Sequence, residues 1–378
     1  MVFTGRFMKP KTGNIAVIHD WLTGLRGGEL VLENILDVIG PADIYTLFYR
    51  KGSVSKKIER NAIYTSFLDK IPFSSSFYRY LLPLMPSAIE ALDVTGYKYI
   101  ISSSHCAAKG IIPHPGSVHI CYVHTPMRYI WDQSYVYFDL NKLGIRNLVK
   151  GCFLSRLRQW DVTSSNRVDY FIANSGFVRE RIKKYYNREA QVIYPPCDTA
   201  YFGDIMHSRE DFYLMVSALN EYKKVDAVIP YFNKTGKKLI IVGYGPLMKK
   251  LRSMAGKNIE FYEKVSKETL RELYQKARAF IQMSMEDFGM AAVEAQSAMT
   301  PVVAFGRGGA AETVIPGKTG ILFYEQKEEE LKKALDLIEK IDIVRDNFLH
   351  NTERFSMSCF QTSFESYLNE RGVKIEHA

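Results

Sequence analysis

The sequence predicts an α/β protein of two doubly wound, Rossmann-like domains. Three observations lead there. Short β-branched apolar runs recur along the whole chain, longer segments with helical spacing separate them, and one polar, turn-rich stretch divides the series in two. Runs that are apolar throughout, rather than alternating, mark parallel strands covered on both faces. Ligands of such sheets bind beyond the carboxyl ends of the strands.

In the first half the runs are NIAVIHD (14–20), YIISSS (99–104), VHICYVHT (118–125), YFIANS (170–175) and QVIYPP (191–196). In the second they are FYLMVSAL (212–219), LIIVGYG (239–245), IEFYEKV (259–265), AFIQMS (279–284), PVVAFG (301–306) and GILFY (320–324). The divide falls in PPCDTAYFGDIMHSRED (195–211) and sets a boundary near 205. The tail RFSMSCFQTSFESYLNERG (354–372) predicts a late amphipathic helix, with Phe360, Phe364 and Tyr367 three or four residues apart. Domains are therefore expected over 1–205 and 206–355, with a helix in 356–378 that returns to the first domain.

Composition narrows the function. The chain has 378 residues, 47% hydrophobic and 24% charged, long enough for two separate cores. Its 24 Tyr and 22 Phe argue against disorder. A net charge of +9 fits nucleic acid, an anionic membrane or phosphorylated substrates. Lys and Arg are dispersed rather than gathered on one face with interleaved aromatics, which argues against a nucleic-acid binder. The five scattered cysteines lack a C-x-x-C pair, so a zinc site or disulfide framework is not expected and a reducing compartment is. The start MVFTGRFMKPKTGN is basic, but no apolar run of signal-peptide type follows. No stretch has the roughly 20 apolar residues of a spanning helix.

Several stretches could carry chemistry, each with two readings. In SMEDFGMAAVEAQ (284–296), Glu286 stands in a strand-exit loop and Glu294 on the second turn of a helix opening at Gly289. A helix start attracts anions, and carboxylates accept hydrogen bonds from vicinal hydroxyls. Both glutamates also suit a solvated helix N-terminus. GRGGAAETV (306–314), one βα unit later, is another loop for close backbone approach, or a plain tight turn. In LIIVGYGPLMKK (239–250) Met248 occupies the third glycine position of a dinucleotide fingerprint, which argues against an NAD oxidoreductase. Gly243 remains suited to a turn bordering another nucleotide. Gly27 and Gly28 in HDWLTGLRGGE (19–29) read as a loop facing the ligand, or as a flexible turn. His124 in ICYVHTPMRYIWD (120–132) sits at a strand's carboxyl end, where catalytic groups collect, although a lone His also serves structurally. Lys223 and Lys224 could reach a phosphate or form a surface pair. NKLGIRNLVKGCFLSRLRQW (141–160) is basic and apolar, fitting an anionic membrane surface or a partly buried helix.

In order along the chain stand Gly-Gly after the first strand, His-Thr-Pro, Ser-Ala-Leu…Lys, Val-Gly-x-Gly-Pro, Glu-x-Phe-Gly-x-x-x-x-Glu-Ala and Gly-Gly-x-x-Glu. Together they resemble the retaining GT-B glycosyltransferases of family 4. The runs HDWLTGLRGGE, SSSHCAAKG, YVHTPMRYIWD, EDFGMAAVEAQ and FGRGGAAETV are similar to the subgroup holding bacterial O-antigen mannosyltransferases. The resemblance covers nearly the whole chain. It implies two Rossmann-like domains facing across a cleft and transfer of a hexose from a nucleotide diphosphate sugar to a glycan or lipid-linked acceptor. GDP-mannose is the implied donor, with a UDP- or ADP-sugar as the alternative.

The resemblance also implies roles. Glu286 holds donor-sugar hydroxyls, Glu294 the ribose, and the backbone of Phe288, Gly289 and Met290 meets sugar and diphosphate. Lys223 holds a phosphate, supported by Lys224; Gly27 and Gly28 approach the diphosphate; His124 lies on the acceptor side. No metal or other cofactor is expected. A cytoplasmic protein is implied, in peripheral contact with an anionic membrane. Ala218 stands where the family has arginine, Met299 where it has glycine, and Glu263-Lys264 where it has Gly-Trp. The loss at Ala218 leaves open a homologue that binds sugar nucleotide without turning it over.

Overall fold

The computed structural model describes residues 13–138, 144–203, 208–340, 342 and 344–375. The boundary expected at 205, the N-terminal residues 1–12 and the start of the basic, apolar stretch (141–143) lie outside them. The chain divides into two compact units. The first comprises Met1–Ala173, Arg181–Gln191 and Phe364–Ala378; the second comprises Asn174–Glu180 and Val192–Ser363.

The first unit is built on a seven-stranded sheet. Its strands are β1 (Ile15–His19), β2 (Asp43–Thr46), β3 (Ile63–Thr65), β4 (Tyr99–Ser104), β5 (Val118–Val123), β6 (Tyr170–Ala173) and β7 (Ala190–Val192). Their spatial order is β3-β2-β1-β4-β5-β6-β7. In β1, Ile15, Ala16, Val17 and Ile18 are all buried, as a strand covered on both faces requires. Three of the central pairings, β1 with β2, β1 with β4 and β4 with β5, are parallel.

The second unit carries a six-stranded parallel sheet. Its strands are β8 (Phe212–Val216), β9 (Lys238–Val242), β10 (Ile259–Tyr262), β11 (Ala279–Gln282), β12 (Val302–Phe305) and β13 (Gly320–Phe323), in the order β10-β9-β8-β11-β12-β13. Successive side chains enter different cores. Tyr213 and Met215 pack with Leu239, Ile241 and Leu335 on one face, while Phe212 and Leu214 pack with Ile240, Phe280 and Ala295 on the other. Burying each such large apolar side chain contributes about 1.5–3 kcal/mol.

Two sequence expectations are corrected here. Gly27 and Gly28 are not a loop: they open the helix Gly27–Ile39, whose N-cap is Arg26. Glu29 causes this, because its carboxylate accepts the backbone N–H of Arg26 at 2.9 Å and closes the first turn. The helix after β11 starts at Met290, one residue later than expected, because Gly289 caps it in the left-handed conformation (φ 93°).

The tail forms the helix Met357–Glu370, with Phe360, Phe364 and Tyr367 buried. The basic, apolar stretch forms the helix Ile145–Ser165. Its first turns leave Ile145, Leu148 and Val149 exposed, by 79%, 68% and 63%. Among the described residues no helix is long and apolar enough to cross a membrane.

Candidate functional site

Each sheet reverses its strand order at one point, and polar side chains gather there in both units. In the second sheet the chain runs outward from β8 through β9 to β10, then continues from β11 on the other side of β8. That reversal opens a crevice beyond the carboxyl ends of β8 and β11. Lys223, in the short turn Glu221–Lys223 after β8, reaches across it to Glu286 after β11. Lys223 Nζ lies 2.5 Å from Glu286 Oε1, and both side chains are about 15% exposed (15% and 14%). Ser284 Oγ donates to the same carboxylate oxygen.

Glycines let the surrounding loops close in. A Cβ on Gly309 would lie 2.1 Å from the carbonyl oxygen of Phe288, so only glycine fits. The N–H of Gly309 donates to the carbonyl of Glu286 at 2.8 Å, joining the loops after β11 and β12. Gly243, after β9, is held against the loop after β8: a Cβ there would lie 1.9 Å from the Ser217 carbonyl oxygen. Ala218 is exposed on that same loop.

Glu294 lies on the helix Met290–Ser297. Burial pushes its carboxyl above the usual range, offset in part by a 2.9 Å hydrogen bond donated by Tyr274. Phe288 contributes its ring to a small core with Tyr194 and Phe355, and its backbone packs against Gly309. Met248, the residue that breaks the dinucleotide fingerprint, is buried in the core of this unit.

Two cations stand apart. Lys224 is exposed and closes its turn in the left-handed conformation (φ 53°), and Arg307 is exposed over the ring of Phe305. Glu312 has a structural task. It accepts the N–H groups of Gly176 and Phe177, at 2.7 and 2.8 Å, and so caps the helix Gly176–Tyr186.

The first sheet reverses between β1 and β4, where His19 and Ser103 are register partners. Ser103 Oγ lies 3.1 Å from His19 Nδ1 and 2.8 Å from His124 Nε2. Gly28 faces both rings, and its small size leaves them room: a Cβ there would lie 3.7 Å from each. Burial, reinforced by His105 and His19, pushes His124 down to about 3, so its ring is neutral at physiological pH.

Asp20, next along from His19, is fully buried and accepts the backbone N–H groups of His105, Cys106, Ala107 and Ala108 at 2.6–2.9 Å. Burial alone would raise its pKa; the charge and hydrogen bonds of His105 outweigh that and hold it well below the usual carboxylate range.

The structure thus brings Lys223 and Glu286 together in the second unit, and Gly28 and His124 together in the first. Sequence reasoning missed His19, Asp20, Glu29, Ser103 and His105. Their signal was a histidine, an acid and a serine at strand ends. Among the described residues no group of three His, Cys, Asp or Glu side chains is placed to hold a metal ion.

Comparisons with known proteins fall on this geometry. Residues 204–355 match the family model described as glycosyl transferases group 1. The matched segment contains Lys223, Gly243, Glu286 and Glu294. An uncharacterized glycosyltransferase of Methanocaldococcus jannaschii, MJ1178, is 28% identical over 222 residues, which cover 57% of this chain and 60% of that protein. Anabaena Alr3699/HepE, solved in complex with UDP, superimposes with a TM-score of 0.68 at 17% identity, over 95% of this chain and 100% of that one. Sucrose-phosphate synthase from Thermosynechococcus elongatus gives 0.67 at 16% identity, over 95% and 98%. These structures share the fold: two Rossmann-like units with parallel sheets.

Proposed function

We propose that this protein transfers a hexose from a nucleotide diphosphate sugar to a hydroxyl acceptor. The observation that carries the reading is the Lys223–Glu286 pair at the switch point of the matched segment. A cation and a carboxylate side by side match a substrate that joins an anionic diphosphate to a polyol. We assign Lys223 to a phosphate, Glu286 to sugar hydroxyls and Glu294 to the ribose. The backbone of Gly289 and Met290, at the helix start, would meet the diphosphate. A diphosphate leaves readily, so the chemistry needs positioning and charge stabilisation more than a strong acid.

We assign GDP-mannose as donor, on the resemblance carried by EDFGMAAVEAQ and YVHTPMRYIWD. A uridine donor is the second reading, because Alr3699/HepE is solved with UDP and with UDP-glucose. A thermal-shift screen of GDP-mannose, UDP-glucose and ADP-glucose separates them. A ligand at 100 times its Kd stabilises by about 2.7 kcal/mol, or roughly 5–10 °C for units of this size. A shift with GDP-mannose alone is expected. A shift with UDP-glucose alone moves the assignment to uridine, and none with any donor removes the transfer reading.

For the acceptor we propose a lipid-linked saccharide at an anionic membrane surface on the cytoplasmic side. The supporting feature is the exposed Ile145, Leu148 and Val149 beside Arg146 and Lys150. Co-sedimentation with phosphatidylglycerol vesicles, weakened by Leu148→Asp, is the expected result. Equal recovery with phosphatidylcholine vesicles would sink the idea.

A further inference from the structure

The hydroxyl of Ser103 stands between two imidazoles and has one proton, so it donates to one ring and accepts from the other. Glu29 decides the direction. The other nitrogen of His19, Nε2, is buried without a hydrogen-bond partner and lies 3.9 Å from Glu29 Oε1. A lone pair on Nε2 would face a carboxylate in a buried place and be repelled, whereas a proton on Nε2 is attracted.

In the neutral His19 ring the proton on Nε2 leaves Nδ1 as an acceptor, and Ser103 donates to it. Ser103 must then accept from Nε2–H of His124. A neutral ring has a single N–H, so Nδ1 of His124 becomes its acceptor. Glu29 is itself fixed, because the N–H of Arg26 binds its other oxygen, Oε2.

We propose that Glu29, His19 and Ser103 are positioning residues that hold His124 in the Nε2–H tautomer, so that Nδ1 accepts a hydrogen bond from a substrate hydroxyl. The choice of a saccharide hydroxyl rests on the transfer reading above; the tautomer does not. A bound hydroxyl that hands its proton toward Nδ1 gains nucleophilic character, and one that only donates a hydrogen bond is oriented. The four residues come from β1, the helix Gly27–Ile39, β4 and the residue after β5, so the sheet's reversal assembles the relay.

The test uses the full chain labelled with ¹⁵N-histidine. Two-bond ¹H–¹⁵N correlations report the tautomer of each ring, and His124→Gln identifies the His124 signals by their loss. The expected wild-type pattern is Nε2–H at His124. Ser103→Ala should give a mixture of tautomers and lower kcat about 10-fold at unchanged donor KM, and Ser103→Thr should restore both. An Nδ1–H pattern in the wild type, or a His124 tautomer indifferent to Ser103→Ala, overturns the relay. The expected tautomer in a protein that transfers from no donor upholds the relay and counts against the transfer reading.

Discussion

Replacing Lys223 by methionine is expected to lower kcat for glycosyl transfer about 10²–10³-fold at saturating donor, the usual cost of losing one preorganised group that meets developing charge. The geometry makes Lys223 the cation to remove. It reaches the crevice between β8 and β11, whereas Lys224 is exposed and Ala218 offers no charge. Glu286→Gln should lower transfer comparably while leaving affinity for the sugar-free nucleoside diphosphate within a few-fold, because its assigned partners are sugar hydroxyls. The two residues form one ion pair, so their effects should not add in the double variant. Wild-type turnover by the Lys223→Met protein would remove Lys223 from the chemistry.

The second large effect is on stability. Lys109 and Asp161 form an ion pair of 2.8 Å deep in the first unit, at 2% and 0% side-chain exposure. Lys109 Nζ also donates to the Asp161 carbonyl and to Ser164 Oγ, each at 2.7 Å. The indole of Trp131 and the hydroxyl of Tyr186 donate to Asp161 Oδ2 at 2.8 and 3.0 Å. Lys109→Met strands a buried carboxylate, which typically costs 3–5 kcal/mol. Thermal unfolding should begin about 10 °C lower. Adding Asp161→Asn removes the stranded charge and should recover most of the loss. A melting curve unchanged in Lys109→Met would show that the pair contributes nothing.

Sequence pattern and three-dimensional structure agree where burial dictates composition. Strands such as β1 and β9 are covered on both faces, and their Ile, Val and Leu runs are readable without any contact information. β2 and β3 escaped because they are short and mixed. Asp43 opens β2 with a buried carboxylate that Tyr97 satisfies, a pairing 54 residues distant that no local window contains. The site divides in the same way. Glu286 and Lys223 stood out through their order along the chain, while the distance between them is a product of the fold. His19, Ser103 and Glu29 were silent, since each is ordinary in its own segment and gains meaning only when β1 and β4 lie side by side. Gly27 and Gly28 were misread as loop because the residue that makes them helical, Glu29, acts through a backbone contact rather than through propensity.

The final segment of the chain belongs to the first unit: Tyr367 donates to the carbonyl of Phe171 in β6 at 3.3 Å, and Tyr99 in β4 donates to the carbonyl of Gly372 at 2.7 Å. During synthesis, then, the half that leaves the ribosome first is completed last, after every residue of the other half has been made. A stop codon at 364 would leave Phe171 and Tyr99 without those partners, and no single truncation point yields either half intact.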